Sequence, residues 1–165
     1  MEIKSTLTNR SGKVLDVTYR DIEHESDILN KKIKGVHAYC FYGDKLVLVY
    51  AKDKDCWTPP GGGVEPGESV RDAVIREVKE ETNMKVLYHQ FLGYQDIVEP
   101  QGIISQTRSV CIVEPYGPFT GDPAGDITEI ACIDPSDYKK YFNWGEVGDY
   151  LMRRALEIKK TIVNN

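Results

Sequence analysis

The sequence predicts an α/β fold in which a mixed β-sheet lies between helices. Segments rich in β-branched and aromatic residues stand on both sides of one central helix at residues 69–83. A long amphipathic segment closes the chain. Short polar turns such as Gly43-Asp44 join neighbouring strand segments, which is a hairpin signal.

In chain order, residues 1–35 form an N-terminal extension. Residues 5–8 and 13–19 read as a β-hairpin around Asn9-Arg10-Ser11-Gly12, and residues 21–34 as a polar loop or short helix. The hairpin is expected to cap the core; building a homodimer or touching substrate are its alternative roles. Residues 36–42 and 45–50 read as strands, and 51–56 as a charged loop entering a glycine-rich turn. After the central helix, residues 85–97 and 103–113 are strand-rich. Residues 115–125 form a loop of prolines and glycines, of the kind that commonly carries substrate contacts. Residues 127–133 read as the last strand, and Asp134-Pro135 opens a short helix running to Phe142. A C-terminal helix over 145–162 places Val147, Leu151, Ala155, Ile158 and Ile162 on one apolar stripe.

The central helix has readable ends. Pro66 and Gly67 punctuate the turn before it, and Ser69 is a good N-cap. Asp72 makes a weak relative of the capping box and places negative charge near the positive helix end. Asn83 suits a left-handed stop. At about 100° per residue, Glu80 and Glu81 fall about 60° and 40° to either side of Glu77, on the stripe begun by Val70, Ala73 and Val74. Carboxylates on such a stripe repel one another and are costly to bury, so a bound cation is their natural partner. Oxygen ligands suit a hard ion such as Mg²⁺ or Mn²⁺. The competing reading is a solvated face of charges paired with Arg76 or Lys79.

The chain of 165 residues suits one domain, with 41% hydrophobic and 28% charged residues. A net charge of −5 makes nucleic acid an improbable partner and means that a phosphate substrate would need a cation at the site. No apolar run approaches membrane-spanning length and residues 1–4 lack a signal core, so a cytoplasmic protein is expected, with no membrane partner. Cys40, Cys56, Cys111 and Cys132 make no Cys-x-x-Cys pair. Three of them read as core residues of strands, and Cys56 as a loop residue. His24, His37 and His89 carry no ligand spacing and read as structural. Trp57, Tyr94, Tyr116 and Phe119 read as packing residues with base stacking as the alternative.

Residues 62–84 resemble the signature of the Nudix (MutT-like) hydrolases, Gly-x5-Glu-x7-Arg-Glu-U-x-Glu-Glu-x-Gly-U, where U is a bulky aliphatic residue. Gly62, Glu68, Arg76, Glu77, Val78, Glu80 and Glu81 match, and Met84 matches the last position loosely. Asn83 stands where the family has glycine, and Pro59 replaces a usual leucine in the lead-in. The resemblance implies an α/β/α sandwich and hydrolysis, within the pyrophosphate, of a nucleoside diphosphate linked to another group. It implies Glu77, Glu80 and Glu81 as ligands of Mg²⁺ or Mn²⁺, with the Gly62 and Gly63 backbone beside metal or phosphate and Gly62 itself within ligand reach. Glu77 is the first candidate for general base; Asp126 and Glu129, on the late loop and strand, are the others. Arg76 is expected to orient a carboxylate, and Glu68 to support the turn. The expected substrate is a nucleotide, either a nucleoside triphosphate or a sugar- or ribose-linked diphosphate. A non-catalytic nucleotide or metabolite sensor and an RNA cap pyrophosphohydrolase are the alternatives.

Overall fold

The structure is a computed structural model describing residues 1–164. Its strands are β1 (Glu2–Thr8), β2 (Val14–Asp21), β3 (Ile33–Tyr42), β4 (Lys45–Ala51), β5 (Cys56–Thr58), β6 (Gly61–Gly63), β7 (Met84–Glu99), β8 (Gly102–Pro115) and β9 (Ile127–Ile133). Helix α1 spans Val70–Thr82 and helix α2 spans Gly145–Val163. All nine strands join one mixed sheet along the path β1-β2-β7-β8-β3-β4-β5, with β6 added to β3 and β9 to β4. The β3–β8 pairing is parallel and the others are antiparallel.

The alternation of side chains along a strand sorts the core into two layers. On β3, Val36, Ala38 and Cys40 face Ala73, Val74 and Val78 of α1. Tyr39 and Phe41, between them, face Val147, Leu151, Met152 and Ala155 of α2. β4 repeats the rule, with Val47 in the first layer and Leu46 and Leu48 in the second. The result is the expected helix–sheet–helix sandwich.

Each end of α1 closes as its residues dictate. Ser69 Oγ accepts the Asp72 N–H at 3.0 Å, and Asn83 takes the left-handed conformation at φ 54°. Gly43 at φ 57° makes the tight β3–β4 turn.

Five local expectations change. Gly61–Gly63 is an extended strand hydrogen-bonded to β3, and the chain reverses after it, where Gly67 has φ 78°. The N-terminal hairpin does more than cap the core, because β2 pairs with β7 and thereby enlarges the sheet. Cys56 belongs to β5. Cys132 is exposed, on a strand that pairs with β4 alone, so it is not a core residue. The short helix after Asp134 is a 3₁₀ turn, Pro135–Lys140.

Candidate active site

The site is built where α1 runs beneath β6. Val36 of β3 pairs with Gly62, and Ala73 and Val74 of α1 pack under the same strand, so the last turns of α1 lie against the glycine strand. A Cβ on Gly62 would stand 2.4 Å from Glu77 Oε1 and 2.7 Å from Oε2. The missing side chain is therefore the space Glu77 occupies. Gly61, which the sequence reading passed over, donates its N–H to Glu81 Oε1 at 2.7 Å. A Cβ there would meet the Val36 carbonyl at 2.0 Å.

Arg76 ties the other carboxylates together. Its Nε and Nη2 fork onto Glu68 at 2.8 and 3.0 Å, Nη1 reaches Glu77 at 2.9 Å and Glu80 at 3.3 Å, and Nη2 donates to the Gly63 carbonyl at 2.8 Å. The fork is the geometry in which arginine holds carboxylates most firmly. Glu68 also accepts the Glu65 N–H at 3.1 Å, which fixes the turn into the helix.

The three glutamates of the stripe are not equivalent. Glu81 is 8% exposed. The Glu77 side chain is 14% exposed and that of Glu80 40%. Glu80 sits at the rim, the outcome of its position at the margin of the stripe. Among the described residues no three acidic, histidine or cysteine side chains form a ready metal cage. The arrangement is two inward carboxyls with Glu80 beside them.

Electrostatics mark the inward pair. Burial raises the Glu81 pKa to about 8 against the lowering by the Gly61 N–H, and the charges of Glu77 and Asp122 raise it further. Burial also raises Glu77, opposed by Arg76 and reinforced by Glu80 and Asp122. Asp122 lies in the 115–125 loop, where its carboxylate caps the N–H groups of Ala124, Asp126 and Ile127 at 2.8–3.2 Å. Asp122 is the late-loop carboxylate whose field reaches the helix pair. Asp126 is exposed, and Glu129 stands opposite Tyr50 on β4 and acts on its hydroxyl. Neither is among the leading charges that shift Glu77 or Glu81. No local pattern distinguishes Asp122 from its neighbours; its place depends on where the loop returns.

A divalent cation fits this donor set. Glu77 and Glu81 are oxygen donors that burial has made hard to ionise, and the nearby charges are chiefly negative. Lys54, in the β4–β5 loop, adds a stabilising positive field at Glu81.

Beside this site, towards α2, lies a cavity of about 830 Å³. His37 lines it and is the register partner of Gly61, so one wall of the cavity continues into the strand that holds Glu81. Trp57, Lys54, Arg108 and Trp144 line it as well.

A family model, the NUDIX domain, matches residues 31–160. The chain belongs to the Nudix family. Over shorter stretches this Nudix chain is 46% identical across 50 residues to the uncharacterised Nudix hydrolase YvcI of Bacillus subtilis, covering 30% of this chain and 32% of that protein. It is 37% identical across 71 residues to the putative 8-oxo-dGTP diphosphatase YtkD of the same organism, 43% of this chain and 44% of that one. With the ADP-ribose pyrophosphatase of Methanocaldococcus jannaschii it shares 43% across 53 residues, 30% and 31% of the two chains. These matches span less than half the length of each relative. The fold agrees with the crystal structure of the Bacillus subtilis pyrophosphohydrolase BsRppH at a TM-score of 0.73 and 21% identity, over 93% of this Nudix chain and 96% of that one.

Proposed function

We propose that this Nudix protein is a divalent-metal-dependent hydrolase that cleaves the pyrophosphate linkage of a nucleoside diphosphate joined to another group. The observation that carries the reading is the pair Glu77 and Glu81, packed beneath a side-chain-free strand, with burial raising both carboxyls and Arg76 paired to Glu77 but not to Glu81. Glu77, Glu81 and the rim residue Glu80 would hold Mg²⁺ or Mn²⁺. When bound, such an ion neutralises phosphate charge and lowers the pKa of a water molecule. Arg76 positions Glu77 and Glu80, and its contact with the Gly63 carbonyl sets helix against strand. Glu77, supported by Asp122 whose charge reaches it, would accept the proton of the attacking water. Lys54, at the junction of cavity and carboxylates, offsets charge on the phosphates.

The relatives include proteins named for 8-oxo-dGTP and ADP-ribose, which keeps both triphosphates and ribose-linked diphosphates in view. The test is a nucleotide panel with Mg²⁺ or Mn²⁺, reading released phosphate, pyrophosphate and nucleoside monophosphate. Turnover abolished by EDTA and by Glu81→Gln is expected. Thermal stabilisation by a nucleotide with no turnover of any panel member would replace the hydrolase reading with a sensor.

A further inference from the structure

Arg108 is 4% exposed and, among the described residues, has no carboxylate partner. A buried guanidinium in that state is costly. Its Nη1 donates to the Thr107 carbonyl at 3.0 Å and its Nη2 to Gln106 Oε1 at 3.2 Å, while Nε has no partner. Since a guanidinium carries five N–H groups and no acceptor, most of its donor capacity remains unused at the wall of the cavity. The guanidinium carbon lies 5.0 Å over the Trp144 ring, and Trp57 supplies a second aromatic wall. His37 is half-buried and held neutral by burial and by the charge of Arg108, and its buried Nδ1 too lacks a partner. Aromatic walls, one buried cation and neutral amides suit a flat heterocycle. A phosphate group, doubly charged and strongly hydrated, would find only the exposed Lys54 beside Arg108 in this cavity, and Lys54 also faces the carboxylate site.

We infer that this cavity receives the base of the nucleotide substrate, and that Arg108 selects a 6-oxopurine by donating to its keto oxygen and adjacent ring nitrogen. The inference rests on the nucleotide-hydrolase reading and extends it to the substrate class. Gln106 already gives its Oε1 to Arg108, and the amide of Gln95 can turn either end towards a ligand, so neither sets its polarity by an acceptor of its own. Arg108 does, because it can only donate. A 6-oxopurine offers O6 and N7 as adjacent acceptors, whereas adenine places an amino donor beside N7. A uracil offers a single keto acceptor on the corresponding edge.

The test is equilibrium binding without metal, followed by tryptophan fluorescence, for GMP, IMP, AMP, UMP and 7-deaza-GMP. GMP and IMP should bind about tenfold more tightly than AMP or UMP, and loss of N7 in 7-deaza-GMP should remove most of that advantage. Arg108→Gln should bring the GMP-to-AMP ratio close to one. The 7-deaza comparison needs no variant and decides the matter even if Arg108→Gln does not fold. AMP bound as tightly as GMP, or 7-deaza-GMP bound as tightly as GMP, overturns the inference. Turnover of a nucleotide panel is measured in parallel. Turnover without base preference removes the base assignment alone, while base preference without turnover upholds it and removes the hydrolase reading.

Discussion

At Glu81 a buried carboxyl accepts one backbone N–H and faces two further acids. Glu81→Gln keeps the acceptor oxygen for Gly61 and removes the charge. The variant is expected to fold, to be at least as stable as the parent near neutral pH in EDTA, and to lose turnover by a factor on the order of 10² or more. Circular dichroism and the phosphate assay read the two effects, and full activity in the variant would end the assignment. Gly62→Ala acts on the same site through space. Its methyl group would occupy the position of the Glu77 carboxylate, so either Glu77 or β6 must move. Turnover should fall at least tenfold, the factor that a misplacement on the order of 1 Å can easily cost. Melting temperature should fall only modestly, because the displaced group is a polar side chain that is not part of the apolar layer under β3. A large loss of stability with normal turnover of the folded fraction would contradict this account.

At the scale of the element, α1 shows why its boundaries were legible and its surroundings were not. Ser69, Gly67 and Asn83 act on their own backbone or within one helical turn, so their chemistry is written in consecutive residues. The departure from the family pattern at Asn83 also has a local reason and a distant one. Asparagine tolerates the left-handed conformation, and its Nδ2 donates to the Pro118 carbonyl at 3.0 Å, tying the helix end to the loop that carries Asp122. The second role depends on chain 35 residues away and had no local signature. Asn83→Gly should therefore change stability by less than about 1 kcal/mol, since relief of the left-handed cost offsets the lost hydrogen bond. It should nevertheless speed hydrogen exchange in residues 115–125. Ser69→Ala is the control at the other end: loss of the cap should cost about 1 kcal/mol without altering that loop. Denaturant melts and exchange mass spectrometry separate the two. Equal loop protection in Asn83→Gly and parent would show that the tether is idle.

Across the whole molecule, the parallel β3–β8 pairing, the burial of Arg108 and the convergence of Asp122 on α1 all arise from contacts between distant segments, and sequence periodicity reports none of them. The same holds for the bond between α2 and the N-terminal hairpin, where Arg154 and Tyr150 meet Asp21 at 2.6 Å each. Arg154→Ala leaves Asp21 half-buried with hydroxyl partners, and should cost on the order of 3 kcal/mol. The pH dependence of stability gathers these buried groups into one curve. The raised pKa of Glu81, about 8, means that its favourable contribution is complete below its ordinary 4.5 and is lost as pH rises through 8, because the unfolded chain ionises it freely and the folded chain does not. His89 runs the other way. Burial and the charge of Arg71 lower its pKa to about 4 from 6.5, so the folded state loses stability as pH falls between those values. Glu68 and Asp149, both lowered chiefly by side-chain hydrogen bonds, steepen the acid limb further down. In EDTA, stability should therefore peak between about pH 5 and 6.5 and decline on both sides. Adding Mg²⁺ should raise the alkaline limb, because the ion binds the ionised carboxylates, and should leave the acid limb where it was. Thermal melts from pH 4 to 9, with and without Mg²⁺, read both limbs. In Glu81→Gln the alkaline decline and its rescue by Mg²⁺ should both shrink; a rescue of undiminished size in that variant would place the ion away from Glu81.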